Sequence, residues 1–118
     1  ERLFVVTRGF ALPLTDEQAA KVEAWGGGPE VVLGMRPQDV YEKAFAPELP
    51  WKENEIGATV DVMEPLGDEV VAAVISEGEE LKVTLPPETS ARLDEPIHLV
   101  VDLGKLHLFD PETEEAIF

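Results

Sequence analysis

Turn residues limit what this chain can become. Glycine and proline recur along its whole length, at 9 and 10 positions, and the apolar runs between them are short. Several of these runs alternate with a period of two. Leu81, Val83 and Leu85 are separated by Lys82 and Thr84, and Ile97, Leu99, Val101 and Leu103 alternate with His98, Val100 and Asp102. That period marks strands with one buried face. Short strands spaced roughly ten residues apart, with Gly or Pro between them, predict an antiparallel barrel or sandwich.

The remaining elements fit this frame. Leu3 to Leu14 reads as a hairpin turning at Arg8-Gly9, with Pro13 marking an edge. Thr15 to Trp25 is the one good helix. Thr15 and Gln18 form a capping box, Leu14 and Ala19 a hydrophobic staple, and Gly26-Gly27-Gly28-Pro29 the stop. Ala19, Val22 and Trp25 give it a narrow apolar stripe. Val31 to Met35 is expected to be a short buried strand, and Tyr41 to Glu55 a loop with a helical turn near "VYEKAF". Val60 and Val62 are expected on one strand face, followed by a turn at Gly67-Asp68 and the strand "EVVAAVI". "SEGEE" is a hairpin turn near Gly78, and "LPPETSARLDEP" a connector. "LHLFD" and a short final segment ending at Phe118 complete the chain.

Composition narrows the function. At 118 residues and 44% hydrophobic, the chain has material for one core without cysteine or metal. Its 25 acidic and 9 basic residues give a net charge of −16, which repels phosphate backbones and anionic membranes. No nucleic-acid partner is expected. No apolar run approaches the roughly 18 residues of a membrane span, so direct membrane insertion is not expected either. The chain begins at Glu1 and reads as part of a longer protein.

Catalytic signatures are absent. No phosphate-binding G-x-x-x-x-G-K-[ST] run occurs, and the triple glycine follows a helix instead of opening one. Ser76 and Ser90 are the only serines, each read in a polar turn or connector with no neighbouring histidine. His98 and His107 fall on strand faces opposite the aliphatic stripe, and His107 with Asp110 would be two ligands where zinc wants three or four. Glu77, Glu79 and Glu80, and likewise Glu112, Glu114 and Glu115, read as solvated acidic turns; weak Ca²⁺ binding is the functional alternative. A small esterase or glycosidase would need a catalytic cleft for which there is no signature. No catalytic, cofactor-binding or metal residue is assigned.

Three motifs carry a resemblance. "LGMRPQDV" (Leu33 to Val40) is similar to an L-G-[IV]-R-P-E-x-[LV] element, "VMEPLGDE" (Val62 to Glu69) to V-E-x-L-G-x-E, and "LHLFDPETEEAI" (Leu106 to Ile117) to H-L-F-D-P-E-T-G-x-x-[IL]. In this order they resemble the C-terminal regulatory part, a transport-associated OB-like domain, of ATP-binding subunits of maltose- and multiple-sugar-type ABC importers. Gln38 replaces the usual Glu, and Glu114 stands where Gly is common, which puts the terminal turn in question.

The resemblance covers most of residues 31–118, with residues 1–30 matching in layout, and implies a mostly β, OB-like fold over residues 1–118 with one helix near the N-terminus; the Pro47–Pro50 stretch leaves a division into two small lobes near 47–55 as the variant reading. It implies a regulatory and dimerising role without enzyme activity, a second copy of the subunit as partner, and docking of the parent on transporter membrane subunits. It also implies a cytoplasmic location at the inner face of the cell membrane, inhibitory partner proteins in some members, and ATP and Mg²⁺ in the parent only. The alternative is an OB-type module binding an oxyanion or sugar.

Six residues are candidates for subunit contacts or structural corners: Arg36, Pro37, Gly67, Glu69, Phe109 and Asp110. Pro37 ends the strand before it and biases Arg36 away from helix. Arg36 then projects from a rigid corner to clamp a carboxylate, within the chain or across a dimer. Asp110 starts a turn. Phe109 is expected in the core, with an interface anchor as the alternative.

Overall fold

The computed structural model describes residues 2–118. Its centre is a five-stranded antiparallel sheet in the order β4 (Val40–Glu42), β8 (Pro96–Val101), β5 (Glu55–Pro65), β6 (Val70–Ser76), β7 (Glu79–Leu85). The edge strands β4 and β7 approach each other without a ladder between them, so the sheet curls into a half-barrel. Two small ribbons flank it: β1 (Phe4–Val6) with β2 (Ala11–Pro13), and β3 (Val32–Gly34) with β9 (His107–Phe109). The fold is mostly β and OB-like, as expected.

The curl begins in β5. Its first half, Glu55 to Thr59, pairs with β8, and its second half, Thr59 to Pro65, pairs with β6. A register shift between Val60 and Val62 makes Asp61 the extra residue of a bulge, which bends the strand and raises its twist. At the bend the Val60 N–H donates to the Glu95 carbonyl (3.0 Å) and its carbonyl accepts from Asp94 (2.8 Å). The bulge overturns the expected alternation. Val60 is buried, but Val62 is 51% exposed and Met63 packs on the core instead.

Helix α1 (Asp16–Trp25) forms as its caps dictate. Thr15 Oγ1 accepts from Gln18 N–H (3.2 Å), Gln18 Oε1 accepts from Thr15 N–H (3.0 Å), and Gly26 closes the helix in the left-handed conformation at φ 67°. Ala19, Val22 and Trp25 are only half-buried. The helix's one buried residue is Gln18, whose amide Nε2 donates to the Leu103 carbonyl at 2.7 Å.

Three other expectations change. Val31 to Met35 is not a buried run: β3 pairs only with β9, in a two-stranded ribbon, and Val32 is 51% exposed. The segment from Tyr41 to Glu55 contains structure that the prolines concealed. Val40–Glu42 is a strand, followed by a 3-10 turn at Lys43–Phe45, and β5 already starts at Glu55. Ser76 does not lie in an exposed turn. It is the buried last residue of β6, and its Oγ donates to the Gly57 carbonyl at 2.9 Å.

One cluster of buried apolar residues includes Val5, Leu12, Val40, Ile56, Val74, Leu99 and Leu108. It therefore draws on both sides of the Pro47–Pro50 stretch. Asn54 Nδ2 donates to the Val101 carbonyl (2.9 Å) and Trp51 Nε1 to Asp102 Oδ1 (2.9 Å), tying that stretch to the end of β8. Among the described residues no buried side-chain N or O lacks a partner.

The β1–β2 hairpin tip lies hard against the end of β6. A Cβ added at Gly9 would sit 2.5 Å from the Ser76 carbonyl oxygen, which is backbone and cannot rotate away. Gly9→Ala is therefore expected to cost about 1–3 kcal/mol, the range for overpacking. A urea denaturation series checks this; an unchanged midpoint would mean that the hairpin floats free of β6.

Candidate functional site

The sequence candidates gather at two corners of the β3–β9 ribbon and at one distant turn. After β3, Arg36 is extended (φ −83°, ψ 143°) and Pro37 occupies the first position of a 3-10 turn, Pro37–Asp39. The proline fixes its own φ and keeps Arg36 out of the helical region. Arg36 Nε donates to Asp39 Oδ2 at 2.9 Å, with the arginine side chain 56% exposed and the carboxylate 10% exposed. The clamp inside the chain thus forms through a single nitrogen and not as a bidentate fork. Asp39 is fixed further by its backbone: its carbonyl accepts from Asp102 N–H at 3.0 Å.

The second corner is the turn after β9. Asp110 Oδ1 accepts from the N–H groups of Glu112 (2.8 Å) and Thr113 (3.2 Å), the Asp-initiated turn expected there. Its Oδ2 accepts from the indole N–H of Trp25 (3.0 Å), which pins the C-terminal end of α1. The Glu112 and Thr113 N–H groups hold the Asp110 carboxyl below its usual 3.8; desolvation opposes this and the Trp25 bond assists it. The turn closes although Glu114 replaces glycine, because Glu114 adopts φ 64° and its N–H reaches the Asp110 carbonyl at 2.9 Å. The final residues then bridge back: Ile117 N–H donates to the Leu108 carbonyl (2.7 Å), and Ala116 forms a bridge with Phe109.

Between these corners the ribbon has two distinct faces. Leu33 and Leu108 are paired and face inward, with Leu108 in the core. Val32 and Phe109 are paired on the other face, and Phe109 is half-buried instead of in the core as expected. Its ring lies over Gly34, where an added Cβ would meet Phe109 Cε2 at 2.9 Å. Gly67 and Glu69 lie elsewhere, in the β5–β6 turn. Gly67 has φ 95° and Leu66 N–H donates to the Glu69 carbonyl (2.8 Å). They are not brought near Phe109 and Asp110 by any pairing among the described residues.

Nucleophilic or metal chemistry has no assembled site among the described residues. Ser76 is buried and bonded to a carbonyl, the histidines lie exposed on separate strands, and no group of three His, Cys, Asp or Glu side chains could hold a metal ion. No helix there is long and apolar enough to cross a membrane. Sequence reasoning missed the polar ties of buried Gln18 and Asn54 and of half-buried Trp51. Only Gln18 carried a signal, its place in the capping box.

No family model matches the chain. Known proteins do. It is 34% identical to a trehalose/maltose import ATP-binding protein of Thermococcus litoralis, over 98% of this chain and 31% of that protein. It is 32% identical to an osmoprotective compounds uptake ATP-binding protein of Synechocystis, over 93% of this chain and 29% of the relative. It is 30% identical to a sulfoquinovosyl glycerol transport ATP-binding protein of Agrobacterium fabrum, over 92% of this chain and 28% of the relative. The resemblance carried by the three motifs therefore holds: the chain is homologous to part of the ATP-binding subunits of importers, several of them named for sugars. It spans less than a third of the length of each of these three relatives.

Two measurements address the terminal turn. Glu114→Gly removes the left-handed strain of a non-glycine residue at the expense of a more flexible unfolded chain. A net stabilisation of about 0.5–1 kcal/mol is expected in denaturant unfolding, and a loss would mean the turn does not require this conformation. Because the folded-state pKa of Asp110 is lowered, its contribution is complete above pH 3.8 and is lost as pH falls through the folded value. Asp110→Asn should flatten the decline of stability below pH 3.8, read from unfolding curves in acid.

Proposed function

We propose that this chain is the regulatory and dimerising domain of an ABC sugar importer's ATP-binding subunit, joined in its parent to a separate nucleotide-hydrolysing domain. The observation that carries the reading is the asymmetry of coverage: 98% of this chain is matched by 31% of a relative named for ATP binding. The residues here do not suit a nucleotide. Their one glycine cluster, Gly26–Gly28, ends a helix, whereas a phosphate needs a helix N-terminus or a nest of N–H groups. ATP and Mg²⁺ accordingly belong to the rest of the parent, and this part is not itself an enzyme.

The partner is a second copy, met through an isologous contact. The outer face of the β3–β9 ribbon supports this. Val32 and Phe109 form an apolar pair there, and at the ribbon's end Arg36 has its Nε engaged by Asp39 while its side chain stays 56% exposed. Through its parent the domain works beside transporter membrane subunits, in the cytoplasm at the inner face of the membrane. The core crosses the whole chain, so the domain acts as a rigid spacer between the subunits it joins.

At −16 per copy, like charges oppose this contact. Association is therefore expected to strengthen as salt screens the repulsion. Sedimentation of the chain should show a dimer that grows with ionic strength, and Phe109→Ala or Arg36→Ala should reduce it. ATP hydrolysis by the chain alone, or a monomer at every salt concentration both alone and within the full subunit, would refute the reading. Heat on titration with molybdate, sulfate or maltose would favour the ligand-binding module instead.

A further inference from the structure

We propose that the open edge of β7 accepts, as an added strand, an extended segment of a partner protein carrying Lys or Arg in alternation with apolar residues. β7 is the last strand of the sheet, and nothing pairs with its outer side among the described residues. The turn before it has two residues, Glu77 and Gly78, both at positive φ (49° and 85°), between the paired Ser76 and Glu79. In such a turn the Ser76 carbonyl accepts from Glu79 N–H, and bonded and non-bonded pairs then alternate along the hairpin. The backbone groups of Glu80 and Lys82 therefore point outward, to the edge.

The two halves of β7 differ. Its downstream end is flanked by other elements: the Pro37–Asp39 turn and β4 pack against it. Its upstream end opens on a groove of ≈ 920 Å³. Glu79, Glu80, Leu81 and Lys82 all line this groove, as do Phe4, Val5, Val6 and Thr7 opposite. Successive residues of a strand point to opposite faces, so four in a row along the groove fit a strand that meets it with its unpaired edge. The exposed length is about 13 Å, which suits an added segment of about four residues.

The chemistry of the lining selects the occupant. Phe4, Val6, Leu33 and Met35 offer an apolar wall for every second side chain. Between them the charge is mostly acidic, from Glu30, Glu79 and Glu80 against Lys82, within a chain of net charge −16; Glu79 Oε1 already accepts from the Arg8 N–H at 2.7 Å, so Glu80 is the carboxylate that meets the occupant. A basic residue across from Glu80 forms a favourable cross-strand pair, and a small neutral residue such as Thr suits the position across from Lys82. A second copy of the chain would bring its own negative field to this edge, so a basic partner is preferred. This groove lies apart from the outward Val32–Phe109 face, and the inference does not rest on dimerisation.

The test uses the 118-residue chain and a fluorescein-labelled peptide of sequence Thr-Val-Lys-Val-Lys, with Thr-Val-Glu-Val-Glu as its acidic counterpart. Saturable anisotropy is expected with the basic peptide only, together with slowed hydrogen exchange at the Glu80 and Lys82 amides. Lys82→Pro removes an outward N–H while leaving the β6 ladder intact, so its thermal unfolding should stay close to that of the parent chain. Peptide binding should weaken about tenfold or more, as expected for losing backbone bonds that hold an added strand. Equal binding of the acidic peptide, binding that survives Lys82→Pro, or protection confined to other strands would overturn the proposal. So would self-association abolished by Lys82→Pro, since the occupant would then be a second copy. If the variant unfolds, amide protection in the parent chain still decides the question.

Discussion

The bend in β5 is the constraint on which the rest of the structure depends. One strand serves two neighbours with different halves of its length, and it can do so only if the sheet turns between them. Asp61 provides the extra residue, and Val60 at the turning point hands its backbone groups to Asp94 and Glu95 instead of to a ladder. The curl then folds the inner faces of β5, β6, β7 and β8 over one another, which is how strands with small side chains such as Ala58, Ala72 and Val74 enclose a buried core. It also brings β4 toward the downstream end of β7, while the upstream end opens on the groove.

The peripheral elements are held differently. Helix α1 has a half-buried apolar stripe and attaches through polar groups at its two ends: the Gln18 amide on Leu103 and the Trp25 indole on Asp110. Each such bond contributes on the order of 1 kcal/mol net, well below what a fully buried Leu or Ile supplies. The barrel should therefore be the last part of the molecule to open, with the helix and terminal turn exchanging their amides sooner. The same peripheral ties fix the candidate contact residues. The Trp25–Asp110 bond holds the turn beside Phe109, and the Asp39 backbone bond holds the corner that carries Arg36.

Much of the architecture was legible because it rests on local rules. The capping box at Thr15 and Gln18, the glycine stop at Gly26, the hairpin turn at Gly78 and the alternation of Leu81, Val83 and Leu85 all express preferences within a few residues. What escaped was set by distant partners. Val62 turned outward because of a bulge that no alternation in "ATVDVMEPL" announces. Val40–Glu42 became a strand because β8 was there to pair with it, despite a length too short to show a period. Phe109 left the core because its neighbour Leu108 holds the inward position, and a strand cannot send consecutive residues the same way. Of the candidate site, the Arg36–Pro37 corner and the Asp110 turn were readable from proline and aspartate chemistry. The β7 edge was not, since an open edge is a property of the whole sheet.

The two faces of the β3–β9 ribbon suggest how so acidic a domain could bind selectively. Long-range repulsion at −16 discourages accidental contact with anionic surfaces and with further copies. Any partner must then overcome that field, either with a compact apolar patch aided by salt or with complementary basic charge. The outer face offers the first solution, through Val32 and Phe109; the groove beneath the inner face offers the second, through Glu80 beside exposed backbone. The two proposed contacts therefore respond oppositely to ionic strength and use separate surfaces, so neither competes with the other.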